Sequence, residues 1–286
     1  MVEIALSKFR VKSKLILADS KDVISKYYKY DFWQSPQLIQ KNKYKILNGL
    51  KKRKINIVIP TSDLELIFWS KNKNFFNKKN IFPMVSNLQT IKICIDKFKF
   101  YQHLIKFGIT TPFTTNKYKN IPKGKYIIKE RFAVNKTKAI CVYNNQIKKN
   151  LKFFKNPIIQ KFIKGEEYSV DCGNMKFSHV IRKRKIIYNG ESEYAQVVRN
   201  KDIELITKKI SSSLKYEGHH MFQGIMNKNK FYITESNARV GGMSVVSSIL
   251  GFDNIAEFIC SKLNLKYSKK IIKKKNFVIY RDVKYY

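Results

Sequence analysis

The sequence predicts a chain of mixed α/β and α+β class, built from a small N-terminal α/β unit and two further lobes. Three observations support this prediction. Strand-like and helix-like segments alternate over the first 88 residues, strand-like segments predominate from Tyr126 onward, and a strand near residue 235 carries charged and amide side chains before two glycines. At 286 residues and 44% hydrophobic, the chain is long enough to bury more than one core.

The N-terminal unit contains two short predicted strands, Leu15–Asp19 and Ile55–Ile59, the second of which is stopped by Pro60. Helical stretches are predicted at Ser35–Leu50 and Ser62–Lys79. Because strand and helix alternate, we expect a small parallel α/β unit here.

The rest of the chain begins with a predicted helix over Thr90–Phe107, which stops at Gly108 before an extended link at 109–112. From Tyr126 the pattern is mostly that of strands, with Gly173-Asn174 as a tight turn. These strands are predicted at Tyr126–Lys129, Ala139–Val142, Pro157–Ile163, Glu167–Cys172 and Lys176–Arg182. The remaining predicted elements are a helix at Asp202–Leu214, paired strands at about 219–226 and 230–236, helices at Met243–Leu250 and Asn254–Leu263, and a strand at Phe277–Lys284.

The chain is strongly basic, with 58 Lys and Arg against 20 Asp and Glu and a formal net charge of +38. Such a charge indicates a polyanionic partner, but only eight of the 58 basic residues are arginine. Nucleic-acid readers rely mainly on Arg, whose planar fork stacks and binds bidentately. We therefore expect nucleic acid to bind only non-specifically through charge, with a steep dependence on salt.

The four cysteines, Cys94, Cys141, Cys172 and Cys260, lie far apart and include no Cys-x-x-Cys pair. This spacing predicts reduced, mostly buried thiols rather than a zinc site or a disulfide framework. The sequence shows no apolar run as long as a membrane span, and Met1–Arg10 lacks the apolar segment of a signal peptide. We expect a cytoplasmic location.

The most informative segment is a strand in which Glu235, Asn237 and Arg239 alternate, followed by Gly241-Gly242. Alternate side chains of a strand share one face, so these three groups are expected to project together. Glu and Asn oxygens suit Mg²⁺, Arg suits a phosphate oxygen, and the glycines allow a close approach to a ligand. The segment predicts a metal-nucleotide site; the alternative is that Glu235 and Asn237 only cap a strand end.

Gln223, on the preceding strand, joins this set only if the loop between the strands has the right length. A three-residue loop at 228–230 places Gln223 opposite Glu235, whereas a two-residue loop pairs it with Thr234 and turns it to the other face. The metal-site interpretation therefore predicts the three-residue loop.

Four segments together resemble the ATP-grasp superfamily, in its carbamoyl-phosphate-synthase-like branch with a single short ATP-grasp unit. Residues 235–242 are similar to the family signature Glu-x-Asn-x-Arg followed by Gly-Gly, and residues 158–171 resemble its hinge and the strand after it. Asp96-Lys97, opening a helix that ends at residues 108–112, resembles the entry to the ATP-binding lobe. Ile127–Lys129 resembles the strand that carries a second basic contact.

The resemblance covers most of the chain, from about Leu15, and implies a division into domains. A Rossmann-like pre-ATP-grasp domain is expected over 1–88, and the strand and glycine-rich turn that usually begin it have no counterpart in this sequence. A two-lobed ATP-grasp fold is expected over 89–286, with an ATP-binding lobe at about 89–160 and a metal-binding lobe at about 161–286.

The resemblance also implies roles for individual residues. Lys97 and Lys129 are expected to contact the ATP phosphates, and Glu167 to accept hydrogen bonds from the ribose hydroxyls. The backbone from Gln160 through Lys161 to Ile163 is expected to hold the adenine edge. Three residues are implied as ligands of one or two Mg²⁺ or Mn²⁺ ions: Gln223, Glu235 and Asn237. Arg239 is expected to neutralise charge on the transferring phosphoryl group, and Arg184 or Arg182 to contact the γ-phosphate or a substrate carboxylate.

Two departures from the family pattern affect the nucleotide site. The family has a Gly- and Ser-rich loop after the second basic residue, whereas residues 133–139 contain no glycine. That loop either closes with Lys136 or Lys138 as phosphate donors or is degenerate. Lys161 stands where an acid often accepts from the adenine amino group, which leaves the base preference open.

The implied function is an ATP-dependent, ADP-forming carboxylate–amine or carboxylate–thiol ligase that works through an acyl phosphate. Its partners would be a small carboxylate and a small amine, and a homodimer is compatible with the sequence. Two alternatives remain at this stage. One is a catalytically degenerate ATP-grasp protein that binds a nucleotide or a partner, and the other is a basic nucleic-acid-binding protein. The sequence identifies neither substrate.

Overall fold

A computed structural model describes residues 1–9, 13–21, 30–132, 139–173, 179–266 and 277–280. Its N-terminal part is the small parallel α/β unit that the sequence predicts, with two parallel strand pairs. Its elements are α1 (Val2–Leu6), β1 (Ile16–Asp19), β2 (Asp31–Gln34), α2 (Lys43–Lys52), β3 (Ile57–Val58), α3 (Asp63–Asn77) and β4 (Phe82–Pro83). Strand β1 pairs with β2, and β3 pairs with β4.

The helix predicted over Thr90–Phe107 is two helices, α4 (Leu88–Cys94) and α5 (Lys97–Lys106), so the prediction of one continuous helix is wrong. The break occurs at Asp96, whose carboxylate accepts hydrogen bonds from the backbone N–H groups of Phe98 and Lys99. A side chain that caps a helix in this way fixes a new N-terminus.

A four-stranded antiparallel sheet follows, in the order β5–β8–β6–β7. Its elements are β5 (Thr114–Thr115), β6 (Lys125–Glu130), β7 (Ala139–Tyr143), α6 (Ile147–Asn150) and β8 (Pro157–Lys161). It has a separate small core, formed by Tyr126, Ile128, Ile147, Phe154 and Ile159. The glycine-free segment discussed above lies outside the described residues at 133–138.

The larger sheet has six strands among the described residues, in the order β13–β12–β9–β10–β11–β14. They are β9 (Glu166–Cys172), β10 (His179–Tyr188), β11 (Glu191–Val198), β12 (His220–Asn227), β13 (Lys230–Asn237) and β14 (Val278–Tyr280), with helices α7 (Lys201–Leu214), α8 (Val245–Ile249) and α9 (Asn254–Leu263). Strand β11 was not predicted from the sequence. The predicted turn at Asn174 and the end of the predicted last strand lie outside the described residues.

The main core joins the N-terminal unit to the six-stranded sheet. It contains Trp33 and Leu66 from the N-terminal unit, Phe100 from α5, and Val170 and Ile233 from the sheet. A second core packs Ala5 and Phe9 against Ile255 and Ile259 of α9. The N-terminal unit is therefore fixed beside the larger sheet by apolar burial, the main favourable term in folding.

The expectation of mostly buried thiols is met only in part. Cys94 and Cys172 are buried, Cys260 is half-buried and Cys141 is exposed, and all four are free. Within the described ranges, none of the helices has both the length and the apolar character needed to cross a bilayer.

Candidate nucleotide and magnesium site

One face of the six-stranded sheet carries five of the residues that the sequence singles out. Gln223 lies opposite both Glu235 and Ser169, and Ser169 lies opposite Arg182. Because side chains two residues apart share a face, the register places the five site residues together. They are Glu167 on β9, Arg184 on β10, Gln223 on β12, and Glu235 and Asn237 on β13.

The pairing of Gln223 with Glu235 is confirmed, but the predicted reason for it is wrong. The loop has two residues, because Asn227 pairs with Lys230. The register then shifts between Gln223 and Gly224, and Thr234 is the extra residue of a β-bulge. A bulge turns the following residues to the opposite face, so Glu235 rather than Thr234 faces Gln223. The Thr234 hydroxyl donates to the Gln223 carbonyl across the bulge at 3.2 Å.

Lys97 enters the site from the N-terminus of α5. Its Nζ lies 3.2 Å from Oε1 of Glu235, and its side chain is only 4% exposed. The preceding residue, Asp96, binds the Arg131 guanidinium through two hydrogen bonds of 2.8 and 2.7 Å. The Lys97 backbone N–H donates to the Arg131 carbonyl at 2.9 Å. These contacts fix the first turn of α5 and hence the direction of Lys97.

Lys129, on β6 of the four-stranded sheet, lies near enough to Lys97 and Glu235 for their charges to affect one another. Burial lowers the pKa of Lys129 to about 8, and Lys97 lowers it further while Glu235 and Glu167 act in the opposite direction. Burial raises the pKa of Glu235, but Lys97, Lys129 and Arg239 together hold it below its ordinary value. Glu235 is therefore ionised at neutral pH, as a magnesium ligand must be.

Arg184 and Glu167 form an ion pair on neighbouring strands, with Nη1 of Arg184 2.9 Å from Oε2 of Glu167. Arg184 also donates from Nη2 to the Gly190 carbonyl, and its side chain is 6% exposed. Arg182 is bound differently, because it forms a fully buried ion pair with Asp171 at 2.8 Å. Of the two arginines, Arg184 is thus the candidate for contact with a ligand.

Arg239 lies at the border between the large sheet and the N-terminal unit. Its Nη2 is 2.7 Å from Oδ2 of Asp63, the first residue of α3, and its Nη1 donates to the Val240 carbonyl at 3.1 Å. Asp63 was not predicted as a site residue. The sequence signal at this point, Ser62 followed by Glu65, indicates only the start of a helix.

The segment between the two sheets contains the predicted adenine contact. The Gln160 side chain is buried and donates to the Thr114 hydroxyl at 3.0 Å, while Lys161 is exposed. The backbone N–H groups of Lys161 and Phe162 donate to the carbonyls of Phe113 and Lys125. Within the described part of the chain, the Ile163 N–H has no such partner and is the N–H of this segment that is left for a base edge.

A second group that the sequence did not reveal holds the glycine turn after Arg239. The Ser244 hydroxyl accepts from the Gly241 N–H at 3.0 Å and donates to Asp171 at 2.7 Å. Burial raises the pKa of Asp171, but Arg182 and His219 hold it well below its usual range. The ionised Asp171 therefore anchors the turn through a buried network.

The chemistry of the site fits a magnesium-bound polyphosphate. Carboxylate and amide oxygens are magnesium ligands, and cationic nitrogens bind phosphate oxygens. Among the described residues, Arg184 Nε and Arg239 Nε are buried without a hydrogen-bond partner, as are several polar atoms elsewhere in the molecule, whereas Lys97 Nζ is paired with the Glu235 carboxylate. The two guanidinium nitrogens beside the candidate ligands are donors that an anion could accept from. In the same part of the chain, no group of three His, Cys, Asp or Glu side chains could hold a metal. The candidate magnesium site instead combines one carboxylate with two amides.

A sequence model of the ATP-grasp domain matches residues 94–243, more than half of the chain. This range contains Lys97, Lys129, the hinge, and strands β12 and β13 with the candidate magnesium ligands. The chain therefore belongs to the ATP-grasp family, a class of nucleotide-binding ligase enzymes. No curated protein matches the chain in sequence.

Solved structures share the fold at low sequence identity. N5-carboxyaminoimidazole ribonucleotide synthetase from Thermus thermophilus has a TM-score of 0.70 at 10% identity, over 93% of this chain and 76% of that chain. L-amino acid ligase from Bacillus licheniformis has a TM-score of 0.65 at 15% identity, over 91% and 69%. Pyruvate carboxylase from Rhizobium etli has a TM-score of 0.64 at 13% identity, and this chain covers 92% of its own length but only 27% of that enzyme.

Proposed function

We propose that the protein is an ADP-forming, ATP-dependent ligase that joins a small carboxylate to an amine or thiol through an acyl phosphate. The observation that supports this best is the convergence of Gln223, Glu235 and Asn237 with Lys97 and Lys129 at one end of the large sheet. A set of oxygen ligands beside two lysines is suited to Mg·ATP and has no evident structural purpose. The solved relatives, which include a synthetase and an amino acid ligase by name, agree with this class.

Each group has a defined task in the proposed reaction. Glu235, Gln223 and Asn237 would hold Mg²⁺, which supplies Lewis-acid stabilisation of charge on the phosphate oxygens. Lys97 and Lys129 would bind the phosphates, Glu167 the ribose, and the Ile163 N–H the adenine edge, so that ATP lies between the two sheets. Arg239 and Arg184 would stabilise the charge that develops on the γ-phosphoryl group.

The proposed chemistry is two successive displacements. A substrate carboxylate oxygen attacks the γ-phosphorus, the bond to the β-phosphate oxygen breaks, and ADP leaves. An amine then attacks the acyl carbon, loses a proton, and displaces inorganic phosphate. No enzyme nucleophile is required, because positioning and charge neutralisation lower the barrier. The division into domains at residue 88 and into lobes near residue 160 remains part of this proposal.

A second candidate function is nucleotide binding without turnover. The glycine-free sequence at 133–139 favours it, since the family closes a glycine-rich loop over the phosphates. The presence of Arg239 beside the candidate magnesium ligands opposes it, because an arginine that stabilises charge on a transferring phosphoryl group is needed for turnover rather than for binding.

The test compares wild type, E235A and E166Q, first for Mg·ATP binding by calorimetry and then for ADP release across amino acids and small carboxylates. Glu166 is a matched control because it is exposed, next to Glu167, and pairs with Lys183. We expect E235A to lose at least about 100-fold in ADP release, the size of effect seen when a key electrostatic group is removed. E166Q should behave as wild type. Equal ADP release by wild type and E235A, with Mg·ATP bound, would favour the non-catalytic alternative.

A further inference from the structure

Arg239 is held from outside the ATP-grasp lobes, by a carboxylate of the N-terminal unit. Asp63 Oδ2 accepts from Arg239 Nη2 at 2.7 Å, and the Val240 carbonyl accepts from Nη1 at 3.1 Å. Both side chains of the pair are partly shielded, with 23% of Arg239 and 15% of Asp63 exposed. A hydrogen bond between two ionised groups is shorter and about twice as strong as one between neutral groups.

Asp63 sits on a rigid support. It is the first residue of α3, whose N-cap Ser62 accepts from the Leu64 N–H at 3.3 Å. The helix is buried through Leu66 and Trp69 in the main core. The packing of α3 therefore fixes the position of Asp63 relative to the large sheet.

Each of the two acceptors takes a hydrogen bond from a different terminal nitrogen of the Arg239 guanidinium, Val240 from Nη1 and Asp63 from Nη2. Its Nε is buried and, among the described residues, has no hydrogen-bond partner. Arg239 is bound to α3 through Asp63 and follows Asn237 of the proposed metal site by two residues, close enough for its charge to help lower the pKa of Glu235.

We propose that Asp63 is a positioning residue, which orients Arg239 so that its free N–H groups meet the phosphoryl group during transfer. This inference rests on the proposed function. Asp63 lies in the N-terminal unit, outside the two lobes that would hold ATP. Because it would set the orientation of the Arg239 guanidinium, the N-terminal unit would take part in phosphoryl transfer.

The test measures binding of Mg·ADP to the full chain with and without aluminium fluoride, which with ADP mimics the phosphoryl group in transfer. The ratio of the two affinities reports the stabilisation of that state and needs no knowledge of the substrates. In wild type we expect Mg·ADP to bind more tightly in the presence of aluminium fluoride than in its absence. R239M should abolish this gain, and D63N should reduce it by about 10- to 100-fold, the range for a misplaced catalytic group. The affinity for Mg·ADP alone should change less than about twofold in D63N, since Arg239 would act on the transferred group.

A double variant separates positioning from general damage. If Asp63 acts through Arg239, D63N/R239M should match R239M alone, as expected for coupled residues. D63E keeps the charge on a longer side chain and should recover part of the loss, and it serves as the second variant if D63N folds poorly. K73M is the matched control, because Lys73 also joins α3 to the large lobe through Glu217, about 15 Å further along the helix. K73M should leave the ratio unchanged.

The outcomes that contradict the inference are distinct from failure of the proposed function. If wild type and D63N show the same fluoride gain, or if wild type binds Mg·ADP without any gain, the positioning role is wrong. If D63N weakens binding equally in the wild-type and R239M backgrounds, Asp63 acts independently and the inference is also wrong. If wild type binds no Mg·ADP at all, the proposed function fails and this inference fails with it.

Discussion

At the scale of single residues, the site contains buried charged groups that would each be unfavourable without the opposite charges beside them. Lys97 is 4% exposed, and an isolated buried ammonium is costly. Its contact with Glu235 offsets part of that cost, and Lys129 adds a second positive charge to the same carboxylate. Two cations facing one anion leave an excess of positive charge, which a polyphosphate would neutralise. The charge balance thus favours a polyanionic ligand at this position.

The lowered pKa of Lys129 predicts a pH-dependent affinity for Mg·ATP. With a pKa of about 8 in the free protein, Lys129 is charged at pH 7 and mostly neutral at pH 9. Bound phosphate favours the charged form, so binding above pH 8 requires uptake of a proton, and the dissociation constant should rise about tenfold between pH 7 and pH 9. Calorimetry in buffers of different ionisation enthalpy measures both the affinity and the proton uptake.

K129R is the matched control for this prediction, because arginine remains charged throughout that range. Its affinity should be nearly constant from pH 7 to pH 9. An equally steep loss of affinity in K129R would assign the pH dependence to another group.

At the scale of elements, the hairpin of β12 and β13 shows what the sequence could and could not predict. The alternation of Glu235, Asn237 and Arg239 predicted a shared face. The structure confirms it for Glu235 and Asn237, but β13 ends at Asn237, and Arg239 lies beyond the strand and binds Asp63. The loop length was wrong because a bulge and an extra loop residue have the same effect on register, and the sequence does not distinguish them. Only the position of Thr234 in the folded hairpin shows which of the two is used.

The predicted bounds of other elements agree with the structure where the signals are local and fail where they depend on distant residues. Helix α9 has the predicted bounds, Asn254–Leu263, since its apolar spacing and Asp253 cap agree. Apolar spacing continues across the break between α4 and α5 and therefore predicted one helix, whereas the family resemblance placed the opening of a helix at Asp96-Lys97, where α5 begins. Asp63 could not be identified from the sequence either, because it is 176 residues from Arg239 and only the fold brings the two together.

The hinge between the two sheets provides a prediction at this scale, centred on Gly165. A Cβ at Gly165 would lie 2.2 Å from the Met226 carbonyl oxygen, which is backbone of β12 and cannot move aside cheaply. The adjacent Lys164 carbonyl accepts from the Asn227 side chain at 2.8 Å, so the hinge is fastened to the β12–β13 hairpin. We expect G165A to lower the free energy of unfolding by about 1–3 kcal/mol, the range for overpacked sites.

Urea unfolding of G165A and G242A measures this effect. A Cβ at Gly242 would meet nothing within 4 Å, so G242A should stay within about 0.5 kcal/mol of wild type. Equal stability of the two variants would mean that the hinge accommodates a methyl group by shifting and is not fastened as described.

At the scale of the whole molecule, the cores show which parts are fixed to one another. The N-terminal unit shares its main core with the six-stranded sheet, whereas the four-stranded sheet has its own core. A boundary between separately packed cores is where ligand sites are commonly found. Lys129 from one side and Glu235 from the other meet at that boundary, which agrees with a nucleotide held between the sheets.

The net charge of +38 distinguishes non-specific polyanion binding from the proposed site. Among the described lysines, Lys97 is buried and a few others, including Lys129, are half-buried, while most are exposed to solvent. A protein that makes 6–10 phosphate contacts loses about 10³–10⁵ in affinity between 50 and 200 mM salt, and we expect RNA binding to fall at least about 100-fold in that range. Shielded charges are screened much less, so the affinity for Mg·ATP should change by less than about fivefold.

Salt titrations of RNA binding and of Mg·ATP binding measure the two dependences on salt. E235A is the variant that should weaken Mg·ATP binding but leave RNA binding unchanged. RNA binding that persists at 200 mM salt, or that E235A weakens, would contradict this separation and favour a nucleic-acid partner at the site itself.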